Sequence, residues 1–202
     1  MSSDHYFSPS PHSEATMRPV QMVLGGKELI LSVPSGTFSA DGLDKGTRIL
    51  LDSVPPPPQH GVLVDVGCGW GPIALSMAMA SPEARVYAVD VNERARAATT
   101  ANAISQGLTN MIVSSPEDFP NTTAIDLIWS NPPIRIGKSA LHELLTLWLN
   151  RLSESGEAWL VVAKQLGSDS LQKWLNDRGA GEFSCNRVGT DKGYRILRVT
   201  RR

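Results

Sequence analysis

From Val62 to the C-terminus, short apolar runs alternate with stretches whose apolar positions recur every three or four residues. The runs VLVDV, RVYAVD, MIVSS, IDLIWS and AWLVVA are short and mostly rich in β-branched side chains, so they predict strands. The stretches from Gly71 toward Ser81, from Asn92 through Ser105, LHELLTLWLNRL and SLQKWLNDR have helical periodicity and predict helices. Strand and helix in alternation is the pattern of parallel strands joined by crossover helices, with the sheet covered on both faces. The last two runs, EFSCNRV and YRILRVTR, are separated only by GTDKG, which is too short for a crossover and predicts an antiparallel hairpin. The expected architecture is therefore α/β: a doubly wound, seven-stranded, mostly parallel sheet ending in an antiparallel hairpin.

The first 58 residues follow another pattern. Residues 1–19 are dominated by Ser, Pro and His without periodicity and predict an arm. VQMVL and ELILSV flank Gly25-Gly26 and predict a β-hairpin, and LDKGTRILLDSV places Leu43, Ile49, Leu50 and Val54 at helical recurrence. Pro55 to Pro58 predict a stiff polyproline II spacer that holds this annex, residues 1–58, at some distance from the unit formed by residues 59–202.

Composition changes the picture mainly by exclusion. With 202 residues, 41% hydrophobic and 19% charged, the chain fits one globular domain with a sizeable core. The 19 Lys+Arg against 20 Asp+Glu give a net charge of −1, so a nucleic-acid partner must be met by a local basic face. Cys68 and Cys185 lie far apart and the four histidines are scattered, which indicates neither a disulfide framework nor a metal site and fits a reducing cytoplasm. The polar N-terminus and the lack of an apolar stretch of about 18 residues predict a soluble protein without a membrane partner.

Two motifs carry candidate chemistry. Asp65-Val66-Gly67-Cys68-Gly69-Trp70-Gly71-Pro72 reads as a strand end, a glycine loop that lets the backbone approach a ligand, and a proline suited to a first helical turn. Asp90 ends the next strand about twenty residues on, where a carboxylate can bind both hydroxyls of a ribose or cap the following turn. Asn92 reads first as a helix N-cap. Asn131-Pro132-Pro133-Ile134 directly follows IDLIWS; two prolines cannot continue a ladder, so the backbone turns out and leaves an asparagine at the lip of the sheet. Alone, this tetrapeptide is a broken strand end. Beside a ligand loop it places two acceptors, the Asn131 side-chain oxygen and the Pro132 carbonyl, where they can grip an NH2 group.

The G-x-G-x-G spacing after Asp65, paired with Asp90, resembles the S-adenosylmethionine fingerprint of class I methyltransferases. The resemblance implies a Rossmann-like fold in which Gly67, Cys68, Gly69 and Gly71 lie along the methionine part of the cofactor. It further implies that Asp90 clamps the ribose and that Asp65 helps to hold the cofactor's amino group; Asp65 also reads as a carboxylate capping the loop backbone. The adenine contact is expected near Ser115-Pro116-Glu117-Asp118, where Pro116 stands in place of the usual acid. There Glu117, Asp118 or backbone groups substitute, or the carboxylates simply start a helix. Methyltransferases with an N-P-P motif methylate exocyclic or amide nitrogens, which implies acceptor and cofactor contacts at Asn131 and acceptor contacts at Pro132, Pro133 and Ile134.

An aliphatic Ile134, in the place of an aromatic, tilts the expected acceptor toward guanine N2. NPPIRIGK, SVPSGTFSADGLDKGTRILLD and HYFSPSP together resemble small-domain methyltransferases related to bacterial ribosomal RNA guanine-N2 enzymes, over nearly the whole chain. That resemblance implies ribosomal RNA or a ribosomal subunit as partner. Phe38, Ser39 and Lys45 then read as pocket contacts, or equally as a core aromatic, a turn hydroxyl and a solvated lysine. The second, degenerate domain of the best known ribosomal enzymes is expected to be lacking, which leaves target recognition to the annex, a dimer partner or local cations. Arg135 and Lys138 are the expected phosphate contacts, whereas Lys192, Arg195, Arg198, Arg201 and Arg202 read as a solvated strand face. Trp129, Trp148, Trp159 and Trp174 read as core, Trp70 as core or site, and His142 as surface or structural. Adenine-N6 and protein glutamine-N5 methylation remain as rival activities, and a silent cofactor- or RNA-binding assembly factor as the non-enzymatic rival.

Overall fold

A computed structural model of the chain describes residues 17–34, 42–177 and 182–201. In chain order the elements are β1 (Met17–Leu24), β2 (Lys27–Pro34), α1 (Lys45–Ser53), β3 (Val62–Val66), α2 (Pro72–Ala80), β4 (Arg85–Val89), α3 (Glu93–Ser105) and β5 (Met111–Ser114). They continue with β6 (Ile125–Ser130), a 3₁₀ turn (Ile134–Ile136), α4 (Lys138–Leu149), β7 (Leu152–Ala163), α5 (Ser168–Asp177), β8 (Phe183–Asp191) and β9 (Tyr194–Arg201). The expected sheet is present: seven strands in the order β5-β4-β3-β6-β7-β9-β8, with β9 antiparallel to both of its neighbours.

Alternation along the strands builds two cores, because successive side chains leave a strand on opposite faces. Val64, Val66, Tyr87, Val89, Ile128, Leu160 and Val162 face α4 and α5, where Leu145, Trp148, Leu171 and Leu175 close the layer. Leu63, Val86, Ala88, Leu127, Trp129 and Val161 face α1 and α2, against Ile49, Leu50, Ile73 and Met77. The β1–β2 hairpin lies outside this sheet and packs Leu29, Leu31 and Val33 against Ala98 and Ala103 of α3. Asn102 of α3 fixes the hairpin in the manner of a peptide group, accepting from Ser32 N at 2.7 Å and donating to Ser32 O at 3.0 Å.

Several boundaries differ from the sequence reading. Met17, Arg18 and Pro19 belong to β1 rather than to an arm; Pro19 is tolerated because β1 pairs only with β2 and its other edge needs no donor from this residue. The spacer does not hold the annex away. Ile49 and Leu50 of α1 share a core with β3 and α2, because four extended residues at about 3.1 Å each only bridge the end of a packed helix to the next strand. Strand β7 begins well before AWLVVA, its polar start accommodated by a register shift opposite Ile125 and Leu127, where a side chain on Gly156 would meet Ile125 O at 2.6 Å. The final hairpin turns at Lys192-Gly193, both at positive φ, so Gly189 to Asp191 belong to β8.

Candidate functional site

Crossovers leave β3 and β6 toward opposite sides, and at such a reversal the loops following the two strands part and open a crevice. Ser130 Oγ donates to Val66 O at 2.6 Å and ties the two strand ends together just below it. The crevice is a cleft of about 330 Å³, large enough for a cofactor, and both motifs line it. They approach each other closely: a Cβ on Gly67 would lie 3.8 Å from Pro133 Cδ.

Four N–H groups of the glycine loop are bonded within the chain. Gly67 N and Cys68 N donate to Val89 O, Gly69 N to Asp90 Oδ2 and Gly71 N to Cys68 O. At the start of α2, Pro72 has no N–H and Ala74 N is taken by Asp65 Oδ2 at 3.0 Å. These bonds hold the loop backbone in place while its glycines allow close approach. Gly71 is required by its φ of +96° and by Thr99 Cγ2, which would sit 2.8 Å from any added Cβ.

Asp90 caps the turn that follows it and stands at the cleft wall. Its oxygens accept from Gly69 N and Asn92 N, each at 2.9 Å, while the side chain also lines the cleft. Burial pushes its carboxyl up, and the Asn92 and Gly69 N–H groups pull partly back. Asn92 caps α3, accepting from Ala95 N at 3.1 Å. Asp65 sits beneath the loop, fully buried, with Oδ1 unpartnered; burial raises its carboxyl well above the ordinary range, against the pull of Ala74 N–H and with a further push from Asp90. Cys68 also lines the cleft, with its sulfur 3.7 Å from Thr99 Oγ1, and burial first, then Asp90 and Asp65, push its thiol up, away from the thiolate form.

Asn131 enters the cleft from the end of β6. Its Nδ2 donates to Asp44 Oδ2 at 2.7 Å and to Thr47 Oγ1 at 3.1 Å, both from the start of α1, which turns Oδ1 the other way. The Pro132 carbonyl accepts from Ile134 N at 2.8 Å in a tight turn and keeps a second lone pair. Ile134 and Arg135 line the cleft with them.

Other expected contacts fall elsewhere. Ser115 to Asp118 form a turn, not a helix start: Ser115 Oγ donates to Asp118 Oδ2 and accepts from Asp118 N. Of these four residues Pro116 alone lines the cleft, and Glu117 is exposed outside it. Lys138 does not line the cleft but a small cavity of about 140 Å³, with Ile134, His142 and Ser170, whereas Arg135 lines the cleft itself. Lys45 is exposed, with its amino group 5.8 Å from the centre of the Tyr194 ring; Phe38 and Ser39 lie outside the described residues. The final-hairpin cations are not a uniformly solvated face: Arg195 is buried and paired with Asp169 of α5, Arg198 pairs with Glu157, and Arg201 donates to Leu152 O. Arg202 lies outside the described residues. Trp174 is half-buried, stacked on His142 at 3.7 Å, while Trp129, Trp148 and Trp159 are core and Trp70 is both buried and part of the cleft wall.

The structure adds Asp44, Thr47 and Tyr194 to the cleft. Asp44 carried one sequence signal, that of an N-cap before Lys45, and it does cap α1 through Thr47 N. Nothing local points across 87 residues to Asn131. Among the described residues no group of His, Cys, Asp and Glu is arranged to hold a metal ion, and no helix is long and apolar enough to cross a membrane.

Comparison with known families matches residues 28–198 to the methyltransferase small domain. The chain belongs to this family. Within and around it, the chain is 34% identical over 200 residues to the uncharacterized protein YbxB of Bacillus subtilis (strain 168), covering 98% of each. It is 33% identical over 138 residues to ribosomal RNA small subunit methyltransferase C of Salmonella choleraesuis (strain SC-B67), covering 66% of this chain but 40% of that protein. Among solved structures, the T. thermophilus 16S rRNA N2 methyltransferase (RsmC) in complex with AdoMet and guanosine shares the fold, with a TM-score of 0.78 at 19% identity over 96% of this chain and 52% of that one. The yhhF protein of Escherichia coli shares it at a TM-score of 0.65 and 16% identity, over 91% and 100% of the two chains.

Proposed function

We propose that the protein transfers a methyl group from S-adenosylmethionine to an exocyclic amine, and that this amine is N2 of a guanine in ribosomal RNA. The observation that carries the reading is the Asn131 amide, held by Nδ2 so that Oδ1 stands with the Pro132 carbonyl beside the Gly67 loop. The cleft suits the cofactor on its own geometry. Asp90 at the cleft wall suits ribose hydroxyls, Gly67 and Gly69 let a cofactor lie close against the loop, and Asp65, buried beneath the loop with Oδ1 unpartnered, places a carboxyl behind it.

When bound there, S-adenosylmethionine supplies an electrophilic methyl group. The protein's part is orientation and charge placement. Asn131 Oδ1 and Pro132 O accept the two amine hydrogens, draw the nitrogen lone pair out of conjugation and aim it into the cleft, so no strong base is required. Ile134 and the half-buried Tyr194 give the cleft apolar and aromatic surface for a base, which must leave any helix it occupies to arrive there. Arg135 in the cleft lining suits a neighbouring phosphate, and Lys138 borders an adjoining cavity that shares Ile134 and Leu166 with the cleft. Guanine is favoured by the aliphatic Ile134 and by the shared fold with the 16S rRNA N2 methyltransferase, which is in complex with guanosine.

The test is transfer of labelled methyl from S-adenosylmethionine to stripped ribosomal RNA, assembled subunits and protein, followed by nucleoside digestion. The expected product is N2-methylguanosine, and Asn131→Ala is expected to bind the cofactor normally while losing about 100-fold or more in turnover. Label in N6-methyladenosine or in protein would overturn the guanine proposal, and near-normal turnover of Asn131→Ala would overturn the two-acceptor grip.

A further inference from the structure

The nitrogen and oxygen of an asparagine amide occupy nearly equivalent positions, and the two flips of Asn131 have opposite consequences. One presents Oδ1 to the amine. The other presents a second NH2 group, so that donors face donors and the site repels its acceptor. We infer that Asp44, assisted by Thr47, is a positioning residue that locks the productive flip of Asn131; the inference rests on the amine-methylating reading of the cleft.

An ionised carboxylate accepts and never donates, so Asp44 Oδ2, 2.7 Å from the Asn131 amide, admits only Nδ2 on that side. Thr47 Oγ1 takes the second hydrogen of the same NH2 at 3.1 Å. Donation to a carboxylate also polarises the amide and leaves Oδ1 a stronger acceptor. Asp44 is itself held: the same Oδ2 accepts from Thr47 N at 3.1 Å as the N-cap of α1, and the backbone of Asp44 accepts from Arg48 N at 2.9 Å. Helix α1 is anchored by Ile49 and Leu50 in the core beneath the sheet. Gly46 makes the approach close enough, since a Cβ there would meet Asp44 Oδ2 at 3.0 Å, Tyr194 Cε1 at 3.0 Å and Asn131 Nδ2 at 3.3 Å. The annex thus supplies a component of the acceptor site.

Two variants separate this role from simple capping, because Ser, Asn and Asp all cap helices well. Asp44→Ser keeps the cap but is too short to reach Asn131, whereas Asp44→Asn keeps an oxygen acceptor in the same place. With the full-length protein and its methyl acceptor, Asp44→Ser is expected to lower kcat about 10- to 100-fold, with an S-adenosylmethionine Kd within about twofold of the parent. Asp44→Asn is expected to restore most of the loss. Unchanged turnover of Asp44→Ser, or equal impairment of both variants, would overturn the assignment. A second readout needs no acceptor: in 15N-labelled protein the Asn131 side-chain NH2, identified by its disappearance in Asn131→Ala, should exchange its protons slowly in the parent and faster in Asp44→Ser. Fast exchange in the parent would equally overturn it. If methyl were found on an acceptor other than guanine while the exchange protection held, the acceptor reading would fail and the lock would stand.

Discussion

Asp65 and Asp90 place two carboxylates under and beside one loop, and the cost of that arrangement is electrostatic. Each is held above its ordinary value chiefly by burial. In the folded chain such a group keeps its proton over a pH range in which the unfolded chain has already lost it, so the cofactor-free protein loses stability as pH rises through that range. Below the ordinary carboxylate range, about pH 3.9, the contribution is fully present. Asp65→Asn removes the larger part of the cost while keeping an acceptor for Ala74 N. Its Tm without cofactor is therefore expected to exceed the parent's at pH 7.5, by about 2–4 °C for each kcal/mol relieved, and to converge with it in acid. Thermal melts at the two pH values check this, and a parent that is as stable as the variant at pH 7.5 would contradict it. At this scale the local signals were legible in the sequence. Asn92 before Glu93 reads as a cap and is one, and Gly71 before Pro72 reads as a turn into a helix. The partnership of Asp44 with Asn131 was not legible, because hydrogen bonding across 87 residues leaves no mark in either neighbourhood.

Helix α1 shows what an element adds to its residues. Its nine residues bury Gly46, Thr47, Ile49 and Leu50, so the turn that holds Asn131 and the turn that anchors the helix are continuous. Leu50→Ala is expected to cost about 2–5 kcal/mol of stability, the range for deleting a fully buried leucine. Because the displaced helix also carries Asp44 and Thr47, kcat should fall at temperatures where the variant is still folded. Denaturant unfolding and steady-state rates on the same sample check both, and full turnover in a folded but destabilised variant would separate α1 from the site. The strands and helices after Val62 were legible because their periods of two and of three to four are set by the side to which each side chain points. The proline run was misread because polyproline II stiffness fixes direction, whereas separation is decided by the apolar face of α1, which finds a core. The start of β7 was missed because its polar residues bulge at Gly156, and a bulge breaks the alternation by which a strand is recognised.

For the whole molecule, the reversal of strand order between β3 and β6 puts the glycine loop, Asp90 and the Asn131 motif into one cleft. That meeting followed from the sequence only through the parallel topology, which places the ends of β3, β4 and β6 at one edge of the sheet. The wall contributed by Tyr194 was hidden because β9 runs antiparallel and brings its first residue, not its last, to the same edge. The net charge is −1 and Arg195, Arg198 and Arg201 bond within the chain, so under the proposed function the RNA is met by cations such as Arg135 in the cleft lining. The central claim, methyl transfer to guanine N2 of ribosomal RNA, is tested most directly by mass spectrometry of ribosomal RNA nucleosides from cells with and without the gene. N2-methylguanosine should fall when the gene is removed and return with the parent protein but not with Asn131→Ala, whereas an unchanged N2-methylguanosine level would contradict the claim.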